Sequence, residues 1–188
     1  MTQRSFAATV TVLAILLASA TLPAASGEVA SAQPAPFKLA ATQAPAPGFT
    51  GLGNWFNSAP LSLADLRGKV VLVNFWTYGC VNCVNTLPHV TALYVKYKDR
   101  GLVVVGVHTP EFPFERSASN VQAALKRHGI TYPVAQDNES QTWNAYGNRY
   151  WPAQYIVDQS GKIVFQHDGE GQYEQMDRTI ARLLNASS

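Results

Sequence analysis

The order of apolar and polar positions divides the chain beyond residue 48 into segments of strand and helix period. Val70 to Trp76 (VVLVNFW) is apolar at every position but one, as expected of a central strand buried on both faces. From about Cys80 to Lys98, Leu87, Val90, Leu93, Tyr94 and Tyr97 recur at helical spacing, which predicts a helix with one apolar stripe. Pro88 lies inside that segment and is expected to kink it. Gly101 ends the unit, and Leu102 to Val107 reads as a second buried strand. Strand, helix and strand within this short span form a crossover unit, so the two strands should run parallel.

The flanking segments are shorter. Trp55-Phe56 and Leu61-Ser62-Leu63 read as short strands around the turn-rich piece Asn57 to Pro60, a small N-terminal hairpin. Ser117 or Ser119 can cap a second helix that ends at Lys126-Arg127-His128 before Gly129. Asn138 is expected to cap a short helix through Tyr146. Gln154 to Val157 and Lys162 to Gln166 alternate around Asp158-Gln159-Ser160-Gly161, the signature of an antiparallel hairpin. Tyr173 to Leu184 closes the chain as an amphipathic helix. A parallel half followed by an antiparallel half predicts an α/β fold with a central mixed sheet and helices on both faces.

The first residues follow other rules. Arg4, an apolar stretch from Phe6 to Leu17 and the small residues Ala18-Ser19-Ala20 have the order of an export signal, assigned to residues 1–26. The run is short for a bilayer-spanning helix, which needs roughly 20 apolar residues. An uncleaved N-terminal membrane anchor is the alternative. Residues 27–47 are rich in Ala and Pro without an apolar period and read as a semi-extended tether. One globular domain then occupies residues 48–188. A formal net charge of +2, with no cluster of Lys or Arg, argues against a nucleic-acid surface.

The chemistry lies in VVLVNFWTYGCVNCVNTLPHV, which holds both cysteines of the chain, Cys80 and Cys83. A structural zinc site needs four ligands, and this pair supplies two. His89, His108, His128 and His167 show no second paired spacing, and nothing points to a metal or other cofactor. A static disulfide across so small a loop would remove little unfolded-state entropy under the chain-entropy model. A reactive pair fits the position better. Cys80 should stand at the first turn of a helix, where free N–H groups and the helix dipole favour a thiolate. Cys83, one turn deeper, can then resolve a mixed disulfide.

FWTYGCVNCVNTLPHV resembles the active-site segment of thioredoxin-fold proteins: buried strand, aromatic pair, paired cysteines, then a helix with proline five residues on. Within that superfamily the chain is most similar to exported thiol–disulfide oxidoreductases of the TlpA kind, and especially to the thioredoxin-like domain of DipZ-type proteins. LADLRGKVVLVNFW, VVVGVHTPEFPFE and NRYWPAQYIVDQSGKIVFQHDGEGQYEQ extend the likeness from about Trp55 to Leu184. The resemblance implies a thioredoxin-like three-layer α/β/α fold. It implies Cys80 as nucleophile, Cys83 as resolving thiol and disulfide partner, and Pro152 as a cis-proline facing the pair. Trp151 would present its backbone to a substrate segment, with Tyr78 and Tyr150 completing an apolar platform; Trp76 is expected in the core. The implied partners are protein thiols and disulfides, with a membrane thiol carrier as electron source outside the cytoplasm.

The chain also departs from that pattern. The first-strand carboxylate of many thioredoxins is Asn74 here, and the glutamate three residues after the second cysteine in many TlpA-like reductases is Thr86. Glu111 and His108, just past or at the end of the second strand, are the candidates for proton transfer in their place. His89, His128 and His167 read as structural or surface residues. A thiol peroxidase, with Cys80 passing through a sulfenic acid, and a non-enzymatic thioredoxin-fold binding module are the competing functions.

Overall fold

The computed structural model of the protein describes residues 44–186. The expected export signal and most of the expected tether lie outside the described residues. The strands are β1 (Trp55–Phe56), β2 (Val70–Trp76), β3 (Leu102–His108), β4 (Val134–Gln136), β5 (Ala153–Val157) and β6 (Ile163–Asp168). The helices are α1 (Val81–Tyr97), α2 (Ala118–Arg127), α3 (Gln141–Ala145) and α4 (Tyr173–Asn185). The six strands form one mixed sheet in the order β1-β4-β3-β2-β5-β6.

β2 is the inner strand on which the sheet is built. It pairs parallel to β3 from Val70↔Leu102 to Trp76↔His108, and antiparallel to β5 from Val71↔Val157 to Phe75↔Ala153. All seven of its residues are buried, as its apolar sequence requires. Because successive side chains point to opposite faces, Val70, Leu72 and Trp76 enter one core with residues of α1, α2 and α4. Val71, Val73 and Phe75 enter a second core with Trp143 and Tyr146 from α3 and its C-cap. There Phe75 meets Trp143, Tyr146 and Tyr155 edge-on, at centroid distances of 5.9, 5.2 and 5.7 Å. This second layer is thin. The short α3 shares it with non-helical residues Ala46, Phe49, Leu52, Leu61 and Leu63.

Two local expectations are corrected. Leu61–Leu63 forms no strand, so there is no N-terminal hairpin; Trp55 and Phe56 pair antiparallel with Ala135 and Val134 of β4 instead. The leucines are drawn into the second core rather than into a ladder. Asn138 does not cap α3: the buried Asp137 carboxylate accepts the N–H groups of Thr142 (3.2 Å) and Trp143 (2.8 Å). Backbone hydrogen bonds also reach into the expected tether. Ala46 N–H donates to the Gly161 carbonyl and Ile163 N–H to the Ala44 carbonyl, which fastens the end of the tether to the β5–β6 turn. α1 continues through Pro88.

Gly106 shows how closely β3 is packed. A Cβ there would stand 2.9 Å from Val134 Cγ2, 3.1 Å from Trp76 Nε1 and 3.2 Å from Tyr132 Cε2. Replacing it by alanine forces rigid core groups apart, and overpacking of this kind costs typically 1–3 kcal/mol. Gly106→Ala should therefore lower the unfolding free energy by about 2 kcal/mol in urea titration, without a change in slope.

Candidate active site

The cysteines stand where β2 ends. Thr109 N–H donates to the Trp76 carbonyl (3.1 Å), holding the exits of β2 and β3 together. Thr77, Tyr78 and Gly79 then lead to Cys80, the N-cap of α1, with φ −88° and ψ 116°. Its sulfur accepts the N–H of Cys83 at 3.2 Å, taking the place of a capping oxygen. The first turn of α1 contains no acidic residue, so nothing there opposes a thiolate at its positive end. Cys80 is half-buried and Cys83 fully buried, both as free thiols. Burial, reinforced by the hydrogen bond with Cys80, pushes the Cys83 thiol far above its ordinary range. A more reactive outer sulfur and a protonated inner one follow from these two environments.

Pro152 reaches the same end of the sheet through the β2–β5 register. Phe75 pairs with Ala153, so the preceding residue lies beside Trp76. The Trp151–Pro152 peptide is cis. The Trp151 indole donates to the Thr109 carbonyl (3.0 Å) and lies 4.1 Å from the Trp143 ring. Tyr78 stacks on His108 at 5.5 Å, and its hydroxyl donates to the Phe114 carbonyl at 2.9 Å. Tyr150 is 61% exposed, whereas Trp76 is fully buried, as expected for a core residue.

His108 and Glu111, the two proton-transfer candidates, occupy opposite environments. Glu111 has an exposed side chain. His108 is fully buried, and burial lowers its pKa to about 4, so it is neutral near pH 7. Asn74 and Thr86 carry no charge: Asn74 Oδ1 accepts the Gln154 amide (3.3 Å), and the Thr86 hydroxyl donates to the Asn82 carbonyl (3.0 Å).

The buried carboxylate of this region is Glu115, which sequence reasoning passed over. It ends the segment TPEFPFE on a 3₁₀ turn, Pro113–Arg116, between β3 and α2. Oε2 accepts the N–H groups of Glu111 (2.7 Å) and Phe112 (2.9 Å), while Oε1 accepts that of Gly79 (2.8 Å). Burial raises its pKa, but hydrogen bonds from Thr77, Phe112, Glu111 and Gly79 outweigh it and hold the carboxyl below its ordinary value. The Thr77 hydroxyl and His108 Nε2 lie 3.3 Å apart, within hydrogen-bond reach, and His108 Nδ1 is buried and unpartnered. A glutamate two residues after proline at the start of a turn was the available signal, since such a side chain reaches back to the first N–H groups.

Residues 42–166, which span the whole of this arrangement, match the AhpC/TSA family. The chain belongs to that family. Among its AhpC/TSA relatives, Protein DipZ of Mycobacterium bovis is 46% identical over 143 residues, covering 74% of this chain and 21% of DipZ. The chain therefore spans about a fifth of that relative's length. Thiol-disulfide oxidoreductase ResA of Bacillus anthracis is 30% identical over 123 residues, covering 65% of this chain and 68% of ResA. A thiol:disulfide interchange protein of Chlorobium tepidum superposes with a TM-score of 0.64 at 28% identity, covering 77% of this chain and 99% of the other. The AhpC/TSA domain here thus has a thioredoxin-like fold, with both cysteines where β2 gives way to α1.

Two measurements probe these environments. Iodoacetamide at pH 7 should modify Cys80 at least tenfold faster than Cys83, read by peptide mass spectrometry, because Cys80 is partly accessible and Cys83 is fully buried. The depressed pKa of His108 affects stability with a definite sign. As pH falls from 6.5 to about 4 the unfolded chain takes up a proton that the folded protein refuses, so stability present above pH 6.5 is lost. Urea titrations should show wild type losing about 3 kcal/mol more than His108→Gln across that window.

Proposed function

We propose that the protein is a thiol–disulfide oxidoreductase that reduces protein disulfides outside the cytoplasm. The observation that carries this reading is the division between the two sulfurs: Cys80 at the N-cap of α1, half-buried, and Cys83 one turn deeper, buried and protonated. The thiolate of Cys80 attacks a substrate disulfide, forming the Cys80–substrate bond and releasing the first substrate sulfur, which takes a proton from solvent. Cys83 then loses its proton and attacks the Cys80 sulfur. The intramolecular disulfide forms and the second substrate thiol leaves, so the pair loses two electrons and the substrate gains two.

Pro152 and Trp151 flank the substrate segment in this reading, and Tyr78 and Tyr150 supply apolar contact around it. His108 and Glu111 carry protons between the pair and solvent. The neutral His108 reaches the cysteine loop through Thr77, and Glu111 meets water. Electrons reach the oxidised pair from a membrane thiol carrier, and residues 1–26 direct export. The names of ResA and the Chlorobium protein support thiol–disulfide exchange over a thiol peroxidase or a binding module. No helix among the described residues is long and apolar enough to cross a membrane.

Cys83→Ser removes the resolving sulfur. Expressed in the native host, this variant should accumulate a covalent Cys80 mixed disulfide, visible on non-reducing gels and dissolved by dithiothreitol. Recovery of no linked protein where wild type is active would favour the binding module. Stoichiometric peroxide consumption by wild type, with a Cys80 sulfenic acid, would favour the peroxidase.

A further inference from the structure

Glu115 is more deeply placed than its turn requires. The bonds from Oε2 to the Glu111 and Phe112 N–H groups are enough to hold the start of the 3₁₀ turn. Oε1 points the other way, across to the loop that joins β2 to α1, and accepts from the peptide N–H directly before Cys80. That reach imposes a requirement on the loop: a Cβ on Gly79 would lie 2.4 Å from Oε1. Thr77, at the other end of the loop, helps to hold the same carboxyl below its ordinary value. The side chain is 0% exposed, and among the described residues it forms no ion pair. It is an anion held by dipoles; it touches the loop residue before Cys80 and acts electrostatically on Cys83 from α1 and His108 from β3.

A fixed negative charge in a poorly screened site acts on whichever neighbour can ionise. His108 is neutral, and the disulfide and the protonated dithiol carry no charge. The species it penalises is the thiolate. We propose that Glu115 is a positioning residue that sets the reducing power of the cysteine pair: it fixes the Thr77–Cys80 loop and destabilises the thiolate form of the reduced state. The thiolate–thiol state is raised relative to the disulfide, so electrons pass more readily to the substrate. No atom is transferred to Glu115, which stays ionised throughout; it acts through the pair and is not the proton acceptor. The inference rests on the pair being redox-active, as proposed above.

The charge makes a prediction that a structural staple would not. Its effect on the redox equilibrium requires a thiolate, so it must vanish at acid pH. In the full-length chain equilibrated with glutathione, Glu115→Gln should favour the reduced pair about tenfold over wild type at pH 8–9, equivalent to about 30 mV for a two-electron couple. The two curves should converge below pH 6. The pH midpoint of Cys80 alkylation should fall by about one unit in Glu115→Gln. It should stay near wild type in Glu115→Asp, which keeps the charge but is one methylene shorter. Equal midpoints in the two variants, or an offset in redox equilibrium that persists at pH 6, would overturn the proposal and leave Glu115 a staple. Should Glu115→Gln not fold, carbon-13 NMR of the wild-type Glu115 carboxyl decides. It should remain ionised from pH 6 to 9 in reduced and oxidised protein, and uptake of a proton in that range overturns the proposal. The alkylation midpoint reports the charge even if no disulfide-linked substrate is ever trapped, so failure of the functional reading and failure of this inference are distinguishable.

Discussion

The complete burial of β2 is the constraint from which the rest of the arrangement follows. A strand with no solvent-facing side must be covered above and below and paired on both edges, and the chain meets all four demands. β3 and β5 take the edges, α1, α2 and α4 one face, and α3 with the segment Ala46 to Leu63 the other. A strand so enclosed can turn reactive groups toward water only where it stops. Thr77 to Cys80 is that stop, and the parallel β3 and antiparallel β5 deliver His108 and Pro152 to the same pole. The site is thus assembled from chain segments far apart in sequence by one ladder.

Electrostatics at that pole comes from the backbone. The sulfur of Cys80 accepts an N–H group from the first turn of α1, and Glu115 accepts three N–H groups on the same side of the cysteine loop. Both are cradled by peptide dipoles. Arg116, beside Glu115 in sequence, turns outward to an exposed pairing with Glu139. Pairing of that kind is worth little in water, and it leaves the buried carboxylate with its field uncancelled by a cation.

How much of this was legible depended on whether the deciding contacts were local. VVLVNFW and LVVVGV announce buried strands by composition alone, and α1 by a stripe repeated over about three turns, so the crossover, and with it the parallel pairing, could be read directly. β4 spans three residues after Pro133 and carries the polar Gln136, too little to show a period. Leu61–Leu63 has strand composition, but its leucines are needed in a core that lies across the sheet, and no local rule contains that. Asp137 took the capping role from Asn138 because its carboxylate lies inside, aimed at α3 from the end of β4. The cysteines were found by their spacing. Glu115 was missed because its partner Gly79 is 36 residues away, and only the folded loop shows that a glycine is needed there.

The 3₁₀ turn that carries Glu115 also carries Phe112 and Phe114, which stack on each other at 5.6 Å and are 45% and 57% exposed. The Phe114 carbonyl is in turn held by the Tyr78 hydroxyl, from the residue next to Gly79. The apolar outer face of this turn and the buried carboxylate behind the cysteine loop are thus borne on one stretch of backbone, Phe112 to Glu115, tied twice to the loop before Cys80.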